Sequence, residues 1–503
     1  MQSVRNRGSW LGIVLTLAVV ATALLPGVAA AQLEDKLDAL EDALEAVYDG
    51  KPATLEECIR AAEVGSVVLG GFEEDVLTAK TDKLAALMQW LPDLGVSASY
   101  QESERTELDQ VVTRPELVPF PFVDAQGNPL IVTVGGDTLS TITQVRTDQV
   151  RDATIDQTFE SQSISSNWTV FNGFDRIAER SQASANYEAS VATLDYQRDV
   201  LREDVTNAFY DYIRAQQRVQ VAIDAQELAL RELERTETYF ELGISTRSDV
   251  LQAKVRHQQT KLDVVRERNG ERNAFLVLAH AMNIPGARTF EVESDLPAVS
   301  RIEVPPVDTL LATARQQRLD LAAAEYRLEA SRAGVTRARA GYWPSVQIFA
   351  QYSRSESETP FRFGAQENTQ FSYGIQGQWQ IFDRWRTQQR TRNAVAQRRR
   401  SEYQVRQQQL NVELEVVNLW NNLTEAIETH EVSSVAVEQS TEDLRLANER
   451  FEVGAGTQLD VITAQVNLAQ ARRDRVDAQV NAIKFRRQLD RATGASAVAA
   501  RQE

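Results

Sequence analysis

Two periodicities take turns along this chain. After Pro92, Leu94, Val96, Ala98 and Tyr100 alternate with Gly95, Ser97 and Ser99. After Pro344, Val346, Ile348, Ala350 and Tyr352 alternate with Gln347, Phe349 and Gln351. Further on, Phe371, Tyr373, Ile375, Trp379 and Ile381 face one way, and Ser372, Gly374, Gln376, Gln378 and Gln380 the other. An earlier stretch keeps Ile164, Trp168 and Val170 on one face. Period-two alternation predicts strands at about 94–104, 160–171, 345–355 and 370–382. One face is apolar, with the aromatics Tyr100, Trp168, Tyr352 and Trp379 near its ends; the other is small or polar and uncharged. A barrel strand with lipid outside and water inside carries this pattern. A soluble half-buried strand has the same period, and the alternation alone does not choose between them.

Elsewhere the period is helical. Thr54-Leu55-Glu56-Glu57 reads as a capping box opening a helical region that runs toward Trp90, and Leu310 to Ala340 is its counterpart. From Phe174, Leu201, Val205, Ala208, Tyr212, Ala215, Val219, Ala222, Gln226, Ala229 and Leu233 follow steps of four and three. This is a coiled-coil seam with one polar interruption. Phe209, Ile213 and Ile223 widen it, so the helix is expected to meet more than one neighbour. A single helix from Gly173 to Gly243 would be about 105 Å long, a length suited to a tube crossing a wide compartment. Gly243 and Gly454 are placed as left-handed turns between antiparallel helices, with Ser245 or Thr246, and Thr457, as caps of the returning helices.

The chain also repeats itself. Trp168 and Phe171 recur as Trp379 and Phe382, and Phe240-Glu241-Leu242-Gly243 recurs as Phe451-Glu452-Val453-Gly454. The offset is constant, since 379 − 168 and 454 − 243 are both 211. A fixed offset marks a duplicated structural unit. The first copy carries a longer loop between its strands. The extra text, roughly Val111 to Val150, is rich in Pro and Gly and reads as exposed, with a small hairpin at Leu130 to Val134.

Residues 1–31 read as a secretory signal peptide: Arg5 and Arg7, an apolar run from Trp10 to Leu25, and Ala29-Ala30-Ala31 before Gln32. A membrane anchor is the other reading, but the run is short for a span. The expected divisions are an N-terminal segment at 32–53, a first repeat at 54–286, a connector at 287–308, a second repeat at 309–494 and a tail at 495–503. The net charge is −18, and removing Arg5 and Arg7 takes it to −20 (−18 − 2), which argues against a nucleic-acid partner. Cys58 is the single cysteine, so no intrachain disulfide can form. His257, His280 and His430 lack a second ligand at metal spacing, no phosphate loop appears, and no cofactor, metal or catalytic residue is expected.

Four strands cannot close a barrel, and open edges in lipid leave backbone groups unpaired. If these strands span a membrane, the chain must therefore oligomerise. The order helix, strand, strand, helical hairpin, repeated twice, resembles the TolC-like outer membrane factors. The matching pieces are Thr54-Leu55-Glu56-Glu57 with Ala61-Ala62, Trp90-Leu91-Pro92-Asp93-Leu94, Val170-Phe171-Asn172-Gly173 and Ile381-Phe382-Asp383. To these add Arg450-Phe451-Glu452-Val453-Gly454 with Thr457, Asp460-Val461 and Ala464.

The resemblance implies a mainly α protein with transmembrane β. It would be a homotrimer with a 12-stranded outer-membrane barrel in lipid and a periplasmic α-helical tunnel. Such proteins are passive exit ducts of tripartite efflux pumps or type I secretion systems, driven by an inner-membrane transporter through a periplasmic adaptor. The adaptor would dock at the tips around Gly243, Thr246, Gly454 and Thr457. Asp460 falls where acidic side chains ring the tunnel mouth; its other reading is a helix-start residue favoured by the dipole. Thr463 and Gly456 stand where a second carboxylate and a basic partner occur in the family. An Asn-Pro pair common near the first helix is replaced by Glu63-Val64-Gly65-Ser66. The basic run Arg384, Arg386, Arg390, Arg392, Arg398, Arg399 and Arg400 reads as a solvated helix face, a contact with anionic lipid or a positive ring in the duct. The rival architecture is a non-conducting coiled-coil protein of the envelope.

Overall fold

The computed structural model describes residues 42, 47, 48, 51–107, 116–134, 137–139, 141–146, 153–284, 290–299, 304–358 and 366–494. The expected signal peptide, the C-terminal tail and Pro285-Gly286 lie outside these residues, as does most of the 32–53 segment. The chain forms two compact units, one of residues 86–177 and 336–390, the other of residues 1–85, 178–335 and 391–503.

The first unit is a sheet. Strands β1 (Gly95–Glu107), β6 (Ala153–Asn172), β7 (Ser345–Glu358) and β8 (Gln366–Gln378) pair antiparallel in the order β1-β6-β7-β8. β1 and β8 are its edges. The register obeys the duplication: Val96 faces Ile164 in copy one, and Ile348 faces Ile375 in copy two. β8 ends at Gln378, short of the Trp379–Phe382 stretch expected to finish it. Between β1 and β6 stand two small ribbons. β2 (Glu116–Pro121) pairs with β5 (Thr141–Arg146), and β3 (Val132–Val134) with β4 (Asp137–Leu139). The first ribbon falls where the Pro-rich text predicted only loop. A two-stranded ribbon has free edges, so Pro119 and Pro121 need not donate to a ladder.

Each copy clasps the lower end of the sheet with the same indole. Trp168 Nε1 donates to the Trp90 carbonyl at 3.0 Å, and Trp379 Nε1 donates to the Tyr342 carbonyl at 3.2 Å. Arg176, 6% exposed, donates to the carbonyls of Gln89 (3.0 Å) and Val170 (2.9 Å), with its guanidinium 4.7 Å from the Trp90 ring centroid. Gly173 has φ 67°, and a Cβ there would lie 2.5 Å from the Ala340 carbonyl oxygen. Glycine is required by both the dihedral and the space.

The second unit is helical. α3 (Asp175–Glu241) and α7 (Arg386–Glu452) have 67 residues each, about 100 Å. α4 (Arg247–Ala281) and α8 (Gln458–Ala492) return with 35 each. Every boundary moves by 211 between copies: 386 − 175, 452 − 241, 458 − 247 and 492 − 281. The opening helices are each broken once. α1 (Leu55–Gly65) and α2 (Val67–Met88) are separated by Ser66, and α5 (Val307–Gln317) and α6 (Leu319–Arg339) by Arg318; both separators are extended. Thr54 and Glu57 form the expected capping box.

The seam of α3 is buried at Val205, Ala208, Tyr212, Val219, Ala222, Ala229 and Leu233. As its width implied, α3 meets two helices. Tyr212 packs edge-on against Phe275 of α4, ring centroids 5.6 Å apart. Toward α8 a polar ladder runs antiparallel: Glu203 with Arg491, Asn207 with Gln488, Asp211 with Lys484, Arg218 with Asp477, Asp224 with Arg472. Ile213 and Leu278 are fully buried in the cluster that also takes Cys58, Phe290 and Met282. Each such side chain contributes about 1.5–3 kcal/mol by burial.

Arg318, where α5 gives way to α6, anchors a buried ion network. Its Nε and Nη2 donate to Asp320 (2.9 and 2.6 Å), and Nη1 donates to Glu415 (2.6 Å) and the Ala492 carbonyl (3.2 Å). Arg491 donates to the other oxygen of Glu415 at 2.7 Å. Burial would raise the Asp320 pKa, but the Arg318 hydrogen bonds and charge hold it below the usual carboxylate range. Asp199 and Glu203 lie above it, because burial outweighs Arg202 and Arg491.

Candidate conduit face and helical tips

The two faces of the sheet differ in chemistry. On one, Trp168, Ile348 and Ile375 form a row across three strands and Ile164, Tyr352 and Phe371 form another, with Ser166, Ala350 and Tyr373 between them. Val96 extends the Ile164 row to β1. The band gives way at Gln162, Arg354 and Thr369, and Tyr100 lies one row beyond, opposite Glu160 and in line with Glu356 and Glu367; Arg354 pairs with Glu367 at 2.9 Å. From position 168 to 164 the strand climbs about 13 Å, so the apolar rows cover about half of the ~25 Å band of outer-membrane barrels. Tyr352 thus lies in the last apolar row and Tyr100 two rows above it, while Trp168 and Trp379 lie near the lower edge. All four are exposed.

The opposite face is lined with hydroxyls and amides. One row is Ser97, Ser163, Ser353 and Gln370; the next is Ser99, Ser161, Ser355 and Asn368. The hydroxyls of Ser97 and Ser163 are 2.7 Å apart, and those of Ser99 and Ser161 2.9 Å. Small neutral side chains leave room and bind neither ions nor apolar solutes tightly. Phe349 is one exception, lying across Gly374 of β8.

The tips are two copies of one device. Gly243 (φ 75°) and Gly454 (φ 73°) end α3 and α7 in the left-handed conformation. Ile244 N–H donates to the Tyr239 carbonyl and Ala455 N–H to that of Arg450, both at 2.8 Å. Thr246 caps α4 and Thr457 caps α8, each in a capping box with Asp249 or Asp460. Asp460 Oδ2 accepts from the Thr457 N–H (2.8 Å) and hydroxyl (2.7 Å). Those bonds, with Arg450 adding its charge, hold the Asp460 carboxyl below the usual carboxylate range. The carboxylate is fully exposed, so capping leaves it open to solvent. Arg450 supplies a positive neighbour that Gly456 does not. A Cβ at Gly456 would press on Arg450 at 3.1 Å. The Thr463 hydroxyl donates to the Leu459 carbonyl at 2.8 Å.

The two tips are joined by a polar cluster that periodicity did not disclose. Gln458, 2% exposed, donates to Glu232 at 2.9 Å. Arg235 donates to Glu232 (2.5 Å) and Asn448 (2.9 Å), with its guanidinium 5.4 Å from the Phe451 ring centroid. Tyr239 stacks on Phe451 at 6.2 Å. The one available signal was Gln458 beside the Thr457 cap, an amide where an exposed first turn would tolerate anything. Higher up, a groove of about 750 Å³ between α7 and α8 is lined in part by Glu425, Glu428, Asp474 and Asp477. Among the described residues no group of three or more His, Cys, Asp or Glu could hold a metal ion. No helix among them is long and apolar enough to cross a membrane.

A sheet apolar on one side and hydroxylic on the other, joined to helices of about 100 Å, defines a membrane-channel subunit. The sequence model for outer membrane efflux proteins matches residues 84–283 and 310–495, and the chain belongs to that family. It is 26% identical to protein CyaE of Bordetella pertussis over 310 residues, 61% of this chain and 65% of that one. It is 23% identical to the outer membrane protein TolC of Vibrio cholerae over 331 residues, 65% of this chain and 73% of that one. The chain therefore spans just under two thirds of the length of CyaE. Its fold is that of the outer membrane protein VceC of Vibrio cholerae, with TM-score 0.66, 19% identity, and coverage of 88% of this chain and 96% of that one. This TolC-like family consists of channels, not enzymes. The protein belongs in the outer membrane, its sheet contributing to the barrel and its helices to the periplasmic tunnel.

Proposed function

We propose that three copies of this chain close a 12-stranded barrel and form the exit duct of a tripartite efflux pump or type I secretion system. The observation that carries this is the sheet with two open edges, β1 and β8. Backbone groups left unpaired in lipid cost several kcal/mol each, and closure with further copies removes every edge. The duct is a passive conduit. The hydroxyl-lined face carries no reactive group, and the energy comes from an inner-membrane transporter acting through a periplasmic adaptor. The turns at Gly243–Thr246 and Gly454–Thr457 are the docking points for that adaptor, since they are the exposed ends of the long hairpins. Asp460 rings the periplasmic mouth as well as capping α8.

The test is single-channel conductance of the purified protein in a planar bilayer, beside its mass in detergent. A conducting trimer is expected. Asp460→Asn keeps an N3 hydrogen-bond acceptor for the cap and removes the charge, so it should lower cation preference without unfolding the tip. A folded monomer that never conducts would replace the duct with the non-conducting envelope coiled coil.

A further inference from the structure

The two copies differ sharply in charge where the strands pass into the long helices. Copy one has Gly173, Asp175 and Glu179; the corresponding residues of copy two (offset 211) are Arg384, Arg386 and Arg390. No acidic residue stands between Asp383 and Glu402, although the whole chain carries a net −18. The arginines are disfavoured locally for two reasons. A helix start attracts negative charge and repels cations; α3 has Asp175 in its first turn, while α7 has no acid there and begins with Arg386. Arg384 also sits at φ 59°, a left-handed position that strains any residue with a Cβ and that copy one gives to glycine. The fold tolerates an acidic or neutral junction in copy one, so the fold is not what calls for the cations.

Nor are two of the three cations paired among the described residues. Among the described residues, the Arg384 and Arg390 side chains make no hydrogen bond or ion pair, while Arg386 donates to the Asp383 backbone carbonyl at 3.1 Å and adds its charge to the Thr387 hydrogen bonds that hold the Asp383 carboxyl below the usual carboxylate range. All three are exposed. Around them the same unit presents exposed rings at the lower end of the sheet: Trp90, Trp168, Trp343, Trp379, Phe382 and Trp385. Indoles clasped at that level mark the membrane–water interface. Arg384 and Arg386 flank Trp385, and Arg390 lies one helical turn, about 6 Å, beyond Arg386. That is within the ~8–10 Å over which a charged surface acts at moderate salt.

We infer that Arg384, Arg386 and Arg390 form a cationic collar that binds anionic phospholipid headgroups of the leaflet at the Trp168 and Trp379 end of the sheet. The partner is a lipid surface because the cations lie beside interfacial indoles and, among the described residues, Arg384 and Arg390 pair with no acid and Arg386 with Asp383 alone. A guanidinium matches phosphate in bidentate geometry, and basic residues at an anionic surface gain about fivefold in partitioning each. In a closed trimer the collar would occur three times, anchoring the barrel at that leaflet. The inference rests on the reading of the strands as membrane-spanning.

The collar can be tested with the full chain reconstituted into bilayers containing brominated phosphatidylglycerol or brominated phosphatidylcholine. Six of the seven tryptophans lie downstream of the signal segment. Five of them, Trp90, Trp168, Trp343, Trp379 and Trp385, sit at the collar level, so fluorescence quenching reports the lipid there. At least threefold preference for the anionic lipid is expected at low salt. R384Q/R386Q/R390Q should reduce it to near one, while R384K/R386K/R390K should keep most of it. Equal quenching by both lipids in the native protein overturns the collar. So does an unchanged preference in the glutamine variant, or a variant that alters ion selectivity or trimer mass but not lipid preference. Failure of the native protein to enter the bilayer would instead refute the membrane-spanning reading.

Discussion

The duplication predicts the contact that closes the barrel, residue by residue. Shifting copy one's pairing of Val96 with Ile164 by 252 and 211 gives Ile348 with Ile375, which is the observed pair. Within the chain β6 meets β7 with Ser165 opposite Gln351. The same operation places Gln376 of β8 (165 + 211) opposite Ser99 of β1 (351 − 252) in a neighbouring copy. Directly opposed residues have Cβ atoms about 4.5–5.5 Å apart, and a slip of two raises this to about 7–8 Å. Disulfides need Cα atoms within about 7 Å, so the bond discriminates the register. It cannot form within one chain, where β1 and β8 are three strand spacings, about 14 Å, apart. Cys58 gives little background, because it is buried and burial pushes its thiol up to about 12. S99C/Q376C should therefore cross-link to a covalent trimer under mild oxidation, read on non-reducing gels. S97C/Q376C should do so at least fivefold more slowly, and the single variants should stop at no ladder. Equal rates for the two pairs would refute the transfer of register from inside the chain to the subunit boundary.

Other consequences follow from the buried network, the turns and the carboxylates. Arg318→Ala should cost about 3–5 kcal/mol by leaving Asp320 buried without its cation. Adding Asp320→Asn should recover part of that in denaturant melts, and a loss below 1 kcal/mol would show that the network is not stabilising. Gly173→Ala, whose Cβ meets the Ala340 carbonyl, should abolish the trimer expected in detergent. Gly454→Ala has nothing within 4 Å and should cost only the left-handed penalty of about 1–2 kcal/mol; equal damage from both would refute the steric argument. Asp199 and Glu203 bind protons more readily folded than unfolded, so their contribution to stability grows as pH falls toward the ordinary carboxylate range of about 4. Asp320 has the opposite sign: its stabilisation is present above its unfolded pKa and is lost as pH falls through the lower folded value. Helical melting followed by circular dichroism should show no loss between pH 7 and 5 and a collapse only below about 4. A falling midpoint between 7 and 5 would contradict this.

Local rules carried much of the architecture. The turn-side ends of α3, α4, α7 and α8 could be read from Gly243, Gly454 and the threonines after them, because a left-handed turn and a threonine cap depend on residues a few positions apart. The alternating serines and apolar residues likewise announced two-faced strands. Where such rules ran out, the sequence misled: Ser66 and Arg318 break helices that looked continuous. For Arg318 a long-range cause is visible, since its guanidinium is committed to Glu415 and the Ala492 carbonyl, far along the chain. The β2–β5 ribbon was hidden by its prolines for a related reason, its pairing joining segments about 25 residues apart.

What the sequence determined by itself was the duplicated order of elements, their lengths and caps, and the chemistry of each strand face, because these rest on periodicity and near-neighbour hydrogen bonds. Only tertiary structure decided which polar residues are spent inside. Gln458 closes on Glu232 across 226 positions, and Arg218 on Asp477 across 259. Arg384 and Arg390, no different in type from Arg218, are left unpaired among the described residues. Burial and pairing belong to positions brought together from distant parts of the chain, and no local pattern encodes which of them will meet.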